Sequence, residues 1–237
     1  MVRVLQAHVL ERAWVEFDDE RVVVNAGLGL PALLMHKLGI EQLADVVVSK
    51  GYRPGRKLCT ALAGMLAGAD CIDDLDVLRV GDTHEVLSSK VMAPSTVGTW
   101  LRSLQIGHVD QLDRVFDQVF CRAWQAGARP TCDLVTIDVD SVVHEVYGDQ
   151  KQGAWWAYNK TFGLHPQYTT IRSSGEIVAC RQRGGRANSA RKAASLITKS
   201  VERVRRAGHT GEIEIGADSA FHNSKVIGKC RELKNVS

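Results

Sequence analysis

Two apolar runs of this sequence end on aspartate, and both have the composition of buried β-strands. Residues 136–143 read Thr-Ile-Asp-Val-Asp-Ser-Val-Val. Strand side chains alternate between faces, so Asp138 and Asp140 would lie on one side of an extended segment. A second run, residues 213–219, ends on Asp218 followed by serine. Carboxylates placed together repel each other, a cost that a bound cation offsets, and the runs therefore predict a metal site at two strand ends.

The order of the elements after residue 130 indicates the fold class. Four strand patterns come first, and a helix, a strand and a second helix follow. This is the order of an α/β, ribonuclease-H-like mixed sheet with helices. The predicted elements are strands at 134–139, 142–147, 168–172, 177–180 and 213–217, and helices at 188–207 and 223–233.

The first 130 residues read mainly as short helices broken by glycine, and Pro130 marks a boundary. We therefore predict a helical domain over 1–130 and the α/β domain over 131–237. Helical patterns at 58–69 and 72–80 precede a helix that opens at Pro94, which would suit a helix-turn-helix. An ordinary helical bundle fits the same pattern.

The chain has no feature of a secreted or membrane protein. Charged residues interrupt the apolar residues of 1–14, so no secretory signal is indicated there. The longest apolar stretch, 22–35, contains Asn25 and Pro31 and is too short to span a bilayer. We expect a cytoplasmic protein without a membrane partner.

Two interpretations of the strand-end acids are open. Asp140 and Asp218 could each cap the turn or helix that follows. Ligands also gather at the carboxyl ends of strands in open α/β sheets, and two carboxylates there could hold Mg²⁺. Paired metals activate a water or hydroxyl and stabilise the leaving oxygen of a phosphodiester.

The stretch 181–206 carries nine lysine or arginine residues and one acidic residue, Glu202. It would offer phosphate groups a positive surface, and the glycine-rich segment 184–189 would expose backbone N–H groups to an anion. A solvated helix face explains the same charges. The aromatic residues of loop 148–163 could stack on unpaired bases or pack on the sheet.

Several motifs, in order along the chain, resemble the DDE transposases of bacterial insertion sequences, in particular the group called IS thirteen-eighty. They are Ile-Asp-Val-Asp-Ser at 137–141, the loop 151–154, Gly-Leu-His-Pro at 163–166, the basic pattern ending at Arg191, Ala-Asp-Ser-Ala-Phe at 217–221, and the upstream segments 69–79, 92–96 and 107–114.

This resemblance implies a ribonuclease-H-like core that holds divalent metal, Mg²⁺ or Mn²⁺, on an Asp, Asp, Glu triad. Such enzymes cut the ends of the element and join them to target DNA, commonly as paired assemblies, so the implied partners are transposon-end and target DNA and a second copy of the chain. Asp140 matches the first acid and Asp218 the second, both catalytic and metal-binding, while Asp138 is a bystander or a group beside the metal ligands. In a bacterial cell the protein would associate with the nucleoid when bound to DNA. The implied DNA-binding residues are Arg181, Arg183, Arg186, Asn188, Arg191, Lys192 and Lys199.

The sequence departs from the family after Asp218. The family's third acid, a glutamate on a downstream helix, has no match, because Glu232 falls too early and residues 231–237 do not read as the next strand. We therefore expect a C-terminally truncated, incomplete catalytic core that cleaves DNA little or not at all. Residues 1–130 would be its DNA-binding region.

Two rival functions are open. Apolar-Asp-x-Asp-Ser-Val is also close to the motif of haloacid-dehalogenase-type phosphatases, with Asp138 as nucleophile and Asp140 as acid and base. A parallel five-stranded sheet beginning at Asp138 would favour that reading. The other rival is a non-catalytic transposase remnant that binds DNA.

Overall fold

The computed structural model describes residues 22–87, 90–148 and 150–237. It divides into two compact units, Met1–Leu112 and Asp113–Ser237. The absence of a secretory signal was predicted from residues 1–14, which lie outside the described residues. Within the described ranges, no helix is both long and apolar enough to cross a lipid bilayer.

The described part of the first unit is helical. A small apolar core joins its helices, with Leu28, Ala63, Leu78 and Val97 buried. The predicted helix at 72–80 is a tighter 3-10 segment. The elements are α1 (Gly29–Leu38), α2 (Ile40–Val47), α3 (Pro54–Leu66), the 3-10 segment (Asp73–Arg79), α4 (Thr83–Val86), α5 (Pro94–Ser103) and the beginning of α6 (Ile106–Ala123).

The second unit is built on two β-sheets. The strands are β1 (Leu134–Ser141), β2 (His144–Glu145), β3 (Trp155–Trp156), β4 (Phe162–Leu164), β5 (Gln167–Ile171), β6 (Ile177–Arg181) and β7 (Glu212–Ala217). The central sheet has the order β6-β5-β1-β7, and a small sheet has the order β2-β4-β3. β1 is antiparallel to β5 and parallel to β7, and β5 is antiparallel to β6.

One face of the central sheet is buried and the other is polar. Val135, Ile137 and Val139 are buried and belong to one apolar cluster with residues of α7 (Ala193–Arg206) and α8 (Ser224–Glu232). Asp138 and Asp140 alternate with these residues and so lie on the opposite face. The predicted fold class is confirmed: a mixed α/β sheet follows a helical region, consistent with a ribonuclease-H-like core.

Two local predictions need correction. The predicted strand 142–147 is only the short β2, which pairs with β4 rather than with the central sheet. The helix predicted from residue 188 begins at Ala193, because Lys192 has a left-handed backbone (φ 64°) that a helix cannot contain.

Residues 235–237 contact β7 through backbone hydrogen bonds. Val236 forms an isolated parallel bridge with Ile213 of β7. Ile213 N–H donates to Asn235 O (2.9 Å) and Ser237 N–H donates to Ile213 O (3.0 Å). This contact is a single bridge and not a strand, in agreement with the prediction that residues 231–237 do not form the next strand.

A buried arginine ties α7 to α6 within the second unit. The side chain of Arg203 is 1% exposed, and its Nε donates to Asp117 Oδ1 at 2.8 Å. Its Nη1 donates to Val178 O at 2.6 Å, and Nη2 lies 3.3 Å from Asp113 Oδ2. Arg203, which belongs to the predicted basic surface, is therefore a buried residue that connects two helices.

Candidate active site

Asp140 and Asp218 lie side by side at the carboxyl end of the central sheet. The parallel register of β1 and β7 ends with Val139 opposite Ala217, and each aspartate is the next residue of its chain segment. Neighbouring strands are about 4.8 Å apart, so the two Cα atoms are close. Alternation puts both side chains on the polar face, and both residues are exposed. The structure thus brings the two predicted acids together.

Each of the two carboxylates makes one local hydrogen bond. Ser141 N–H donates to Asp140 Oδ1 at 2.6 Å, and Ala220 N–H donates to Asp218 Oδ1 at 3.0 Å. The capping interpretation is therefore correct for Asp218, but it occupies only one oxygen. Within the described ranges, the second oxygen of each carboxylate has no protein donor.

These free oxygens suit a hard cation. Mg²⁺ is commonly held by one or two carboxylates and keeps several waters, so a pair of aspartates fits it. Among the described residues no group of three or more His, Cys, Asp or Glu side chains could hold a metal ion. Asp140 and Asp218 are two carboxylates, fewer than such a group, and their role as metal ligands stays a prediction.

Asp138, on the same face, is already neutralised. Arg172 Nη2 donates to Asp138 Oδ1 at 2.6 Å, and Arg172 Nε donates to Asp138 Oδ2 at 3.0 Å. The pair lies over Gly216 of β7, where a Cβ would overlap both charged groups. A carboxylate held by both oxygens is a poor nucleophile, which argues against Asp138 as a phosphatase nucleophile. In addition, β1 has an antiparallel neighbour, so the sheet is not the parallel sheet that the phosphatase interpretation required.

Two histidines that show no ligand spacing in the sequence lie near the acids. Tyr168 lies opposite Asp140 in the β1–β5 register, and its hydroxyl is 3.0 Å from His144 Nε2. Burial, with a smaller contribution from Cys180, raises the pKa of Tyr168, so the phenol stays protonated. His165 is buried, and its Nε2 lies 3.1 Å from Ser141 Oγ.

His165 links two segments through its two ring nitrogens. Its Nδ1 is 2.7 Å from Ala187 O, a group that can only accept, so Nδ1 donates, while Nε2 contacts the Ser141 hydroxyl. The residue after Asp140 is thereby tied to the glycine-rich loop. Ser141 and His165 are 24 positions apart, and no local pattern could have indicated the contact.

Some of the predicted DNA-binding residues form hydrogen bonds or ion pairs with other residues of the protein. Arg183 is buried and donates from Nε to His165 O and from Nη1 to the carbonyl oxygens of Asn188 and Ser189. Arg181 Nη1 donates to Lys192 O and Ser195 Oγ. Lys199 Nζ lies 2.6 Å from Asp113 Oδ2.

The others face solvent. Arg186, Asn188, Arg191 and Lys192 are exposed, and the guanidinium of Arg186 stacks 3.8 Å from the ring centroid of Trp155. Whether these side chains touch DNA stays a prediction. Their placement shows that the surface available for such contact is narrower than the charge run suggested.

A family model described as Transposase DDE domain group 1 matches residues 8–237. No curated protein and no solved structure matches the chain. The match spans both units and includes Asp140, Asp218 and the basic loop.

Proposed function

Because the chain belongs to the family of group 1 transposase DDE domains, we propose that Asp140 and Asp218 are its catalytic, metal-binding acids. The activity would be metal-dependent cleavage and strand transfer at the ends of an insertion sequence. The observation that carries this proposal is the side-by-side position of both acids beyond the last β1–β7 pair. As a transposase domain the chain has DNA as its partner. We propose that this DNA is the transposon ends and the target DNA, and that the transposon is an insertion sequence of the IS thirteen-eighty group.

Each residue at the end of β1 and β7 has its own proposed role. Asp140 and Asp218 would hold Mg²⁺ or Mn²⁺ through their free oxygens. A bound divalent ion lowers the pKa of an attacking water or hydroxyl and stabilises the leaving oxygen of a phosphodiester. Arg172 keeps Asp138 from adding further negative charge beside the phosphate. Tyr168, held protonated, offers a neutral donor next to Asp140.

A second candidate is DNA binding without cleavage. It is favoured by the lack, among the described residues, of a group of three or more potential metal ligands. Two carboxylates bind a divalent ion more weakly than three, so we propose that cleavage by this chain alone is slow or absent. Both candidates require DNA binding, and they differ in metal binding.

Mn²⁺ binding measured by electron paramagnetic resonance separates the candidates. We expect Asp140→Asn and Asp218→Asn each to weaken Mn²⁺ binding by about tenfold or more, since loss of a direct ligand costs at least as much as loss of an outer-shell partner. Any cleavage of terminal DNA should disappear in both variants. Mn²⁺ binding that neither variant changes would refute the metal-site proposal and leave the non-catalytic candidate.

A further inference from the structure

A basic cleft lies in the second unit between the glycine-rich loop and β3. Its volume is about 540 Å³, ample for a phosphate group. Five cationic residues line it, and no acidic residue is among the side chains that form it. These residues are Arg181, Arg183, Arg186, Arg191 and Lys192.

Arg183 has an unused donor group. The residue is 9% exposed, and its Nε and Nη1 atoms are consumed by backbone carbonyls of the surrounding loop. Its Nη2 atom is buried without any hydrogen-bond partner. Buried polar groups are nearly always satisfied, and an unsatisfied one is costly, so an exception calls for a missing acceptor.

The charges around Arg183 point to an anionic acceptor. Burial, followed by the charges of Arg181 and Arg191, lowers the pKa of Arg183 to about 10. Among the described residues no carboxylate pairs with Arg183. An anion in the cleft would supply both the missing acceptor and the missing negative charge.

The cleft and the acids lie at the same end of the central sheet. Ser141, next to Asp140, pairs with Gln167, which pairs with Arg181. Two strand spacings amount to about 10 Å, so one nucleic-acid strand could reach both places. Arg183 also donates to the carbonyl of His165, the residue that contacts Ser141.

We propose that this cleft binds a single phosphodiester group of a DNA strand, with Arg183 Nη2 as the buried donor and Arg191 and Lys192 as exposed ones. The identity of the strand rests on the proposed function. The site is formed by guanidinium groups and not by the helix start that the sequence suggested, because Lys192 turns the chain before α7 begins.

The test uses Trp155, which lines the cleft, as a local probe. Protein labelled with ¹⁵N-tryptophan is titrated with hexathymidylate lacking terminal phosphates, and the indole signal is assigned through Trp155→Phe. We expect a saturable shift. Binding should weaken by about tenfold in Arg191→Gln/Lys192→Gln, which removes two phosphate contacts at the surface without touching Arg183.

The matched control is Arg231→Gln/Lys234→Gln, which removes the same charge from exposed positions of the same unit. Lys234 adjoins the segment paired with Ile213, at the opposite end of the sheet from Arg181. The control should bind within about twofold of the unaltered protein, as expected for charges that make no contact. Equal weakening in both double variants would overturn the proposal and indicate a diffuse charge effect.

Two further ligands test the chemistry. Hexathymidylate with neutral methylphosphonate linkages should not shift Trp155; equal binding would mean that bases alone occupy the cleft and would overturn the proposal. A shift with inorganic phosphate but none with hexathymidylate would instead indicate a free-phosphate site. Arg191→Gln/Lys192→Gln should keep Mn²⁺ binding, so failure of this inference is distinguishable from failure of the acid pair.

Discussion

Arg172 holds Asp138 by both carboxylate oxygens, two residues before Asp140 on the same strand. Asp138 and Asp140 lie on the same face of β1, but only Asp138 forms this ion pair. Asp138 is thereby a charge-balanced neighbour, while Asp140 keeps a free oxygen. Side chains that look equivalent in the sequence therefore have different chemistry.

This difference predicts unequal effects of two isosteric substitutions. Asp140→Asn should lose Mn²⁺ binding, whereas Asp138→Asn should keep Mn²⁺ binding within about threefold, because a neutral partner for Arg172 changes only the surrounding field, which solvent screens. Electron paramagnetic resonance titration of both variants measures the effect. Equal losses would show that Asp138 is itself a metal ligand.

The sequence was informative where the signal was local. Alternation of apolar residues predicted β1 and β7, and the aspartates that end them were visible at once. The contact of His165 with Ser141 forms only in the tertiary structure, so no periodic pattern in the sequence could predict it. The start of α7 at Ala193 was missed for a related reason. The carbonyls of Asn188, Ser189 and Arg191 accept hydrogen bonds from Arg183, which holds this segment outside a helix.

Arg203 should be far more important for stability than its neighbour Arg206. Both donate to Asp117, but the Arg203 side chain is 1% exposed and that of Arg206 is 50% exposed. Arg203→Met removes the buried donor to Val178 O and one of the two cations that pair with each of Asp113 and Asp117. We therefore expect a loss of about 3–5 kcal/mol. Arg206→Met should lose about 1 kcal/mol or less. Urea unfolding measures both, and similar losses would contradict the assignment.

Asp117 should make stability depend on pH. Burial alone would raise its pKa, but hydrogen bonds and charges of Arg206 and Arg203 outweigh burial, and the pKa lies below its ordinary value of 3.8. A lowered folded-state pKa stabilises the protein above the unfolded-state pKa, and that contribution is lost as the pH falls through the folded-state value.

The free-energy difference between the unaltered protein and Asp117→Asn should therefore be largest near neutral pH and shrink as the pH falls below 3.8. Urea unfolding at several pH values measures this difference. Asp133→Asn, at an exposed position of the same unit, serves as the control and should show a small difference that changes little. A pH-independent effect of Asp117→Asn would rule out the proposed ionic role.

Gly185 should be required for the basic cleft. A Cβ at this position would overlap the carbonyl oxygens of Trp155 and Gly163, backbone atoms that cannot rotate away. Gly185→Ala should therefore cost about 1–3 kcal/mol in urea unfolding, as overpacking does, and abolish the Trp155 shift with hexathymidylate. Gly228→Ala, within α8 and with no atom near its Cβ, is the control and should gain about 0.5–1 kcal/mol. If Gly185→Ala kept both stability and binding, the loop would not need the close approach of these two backbones.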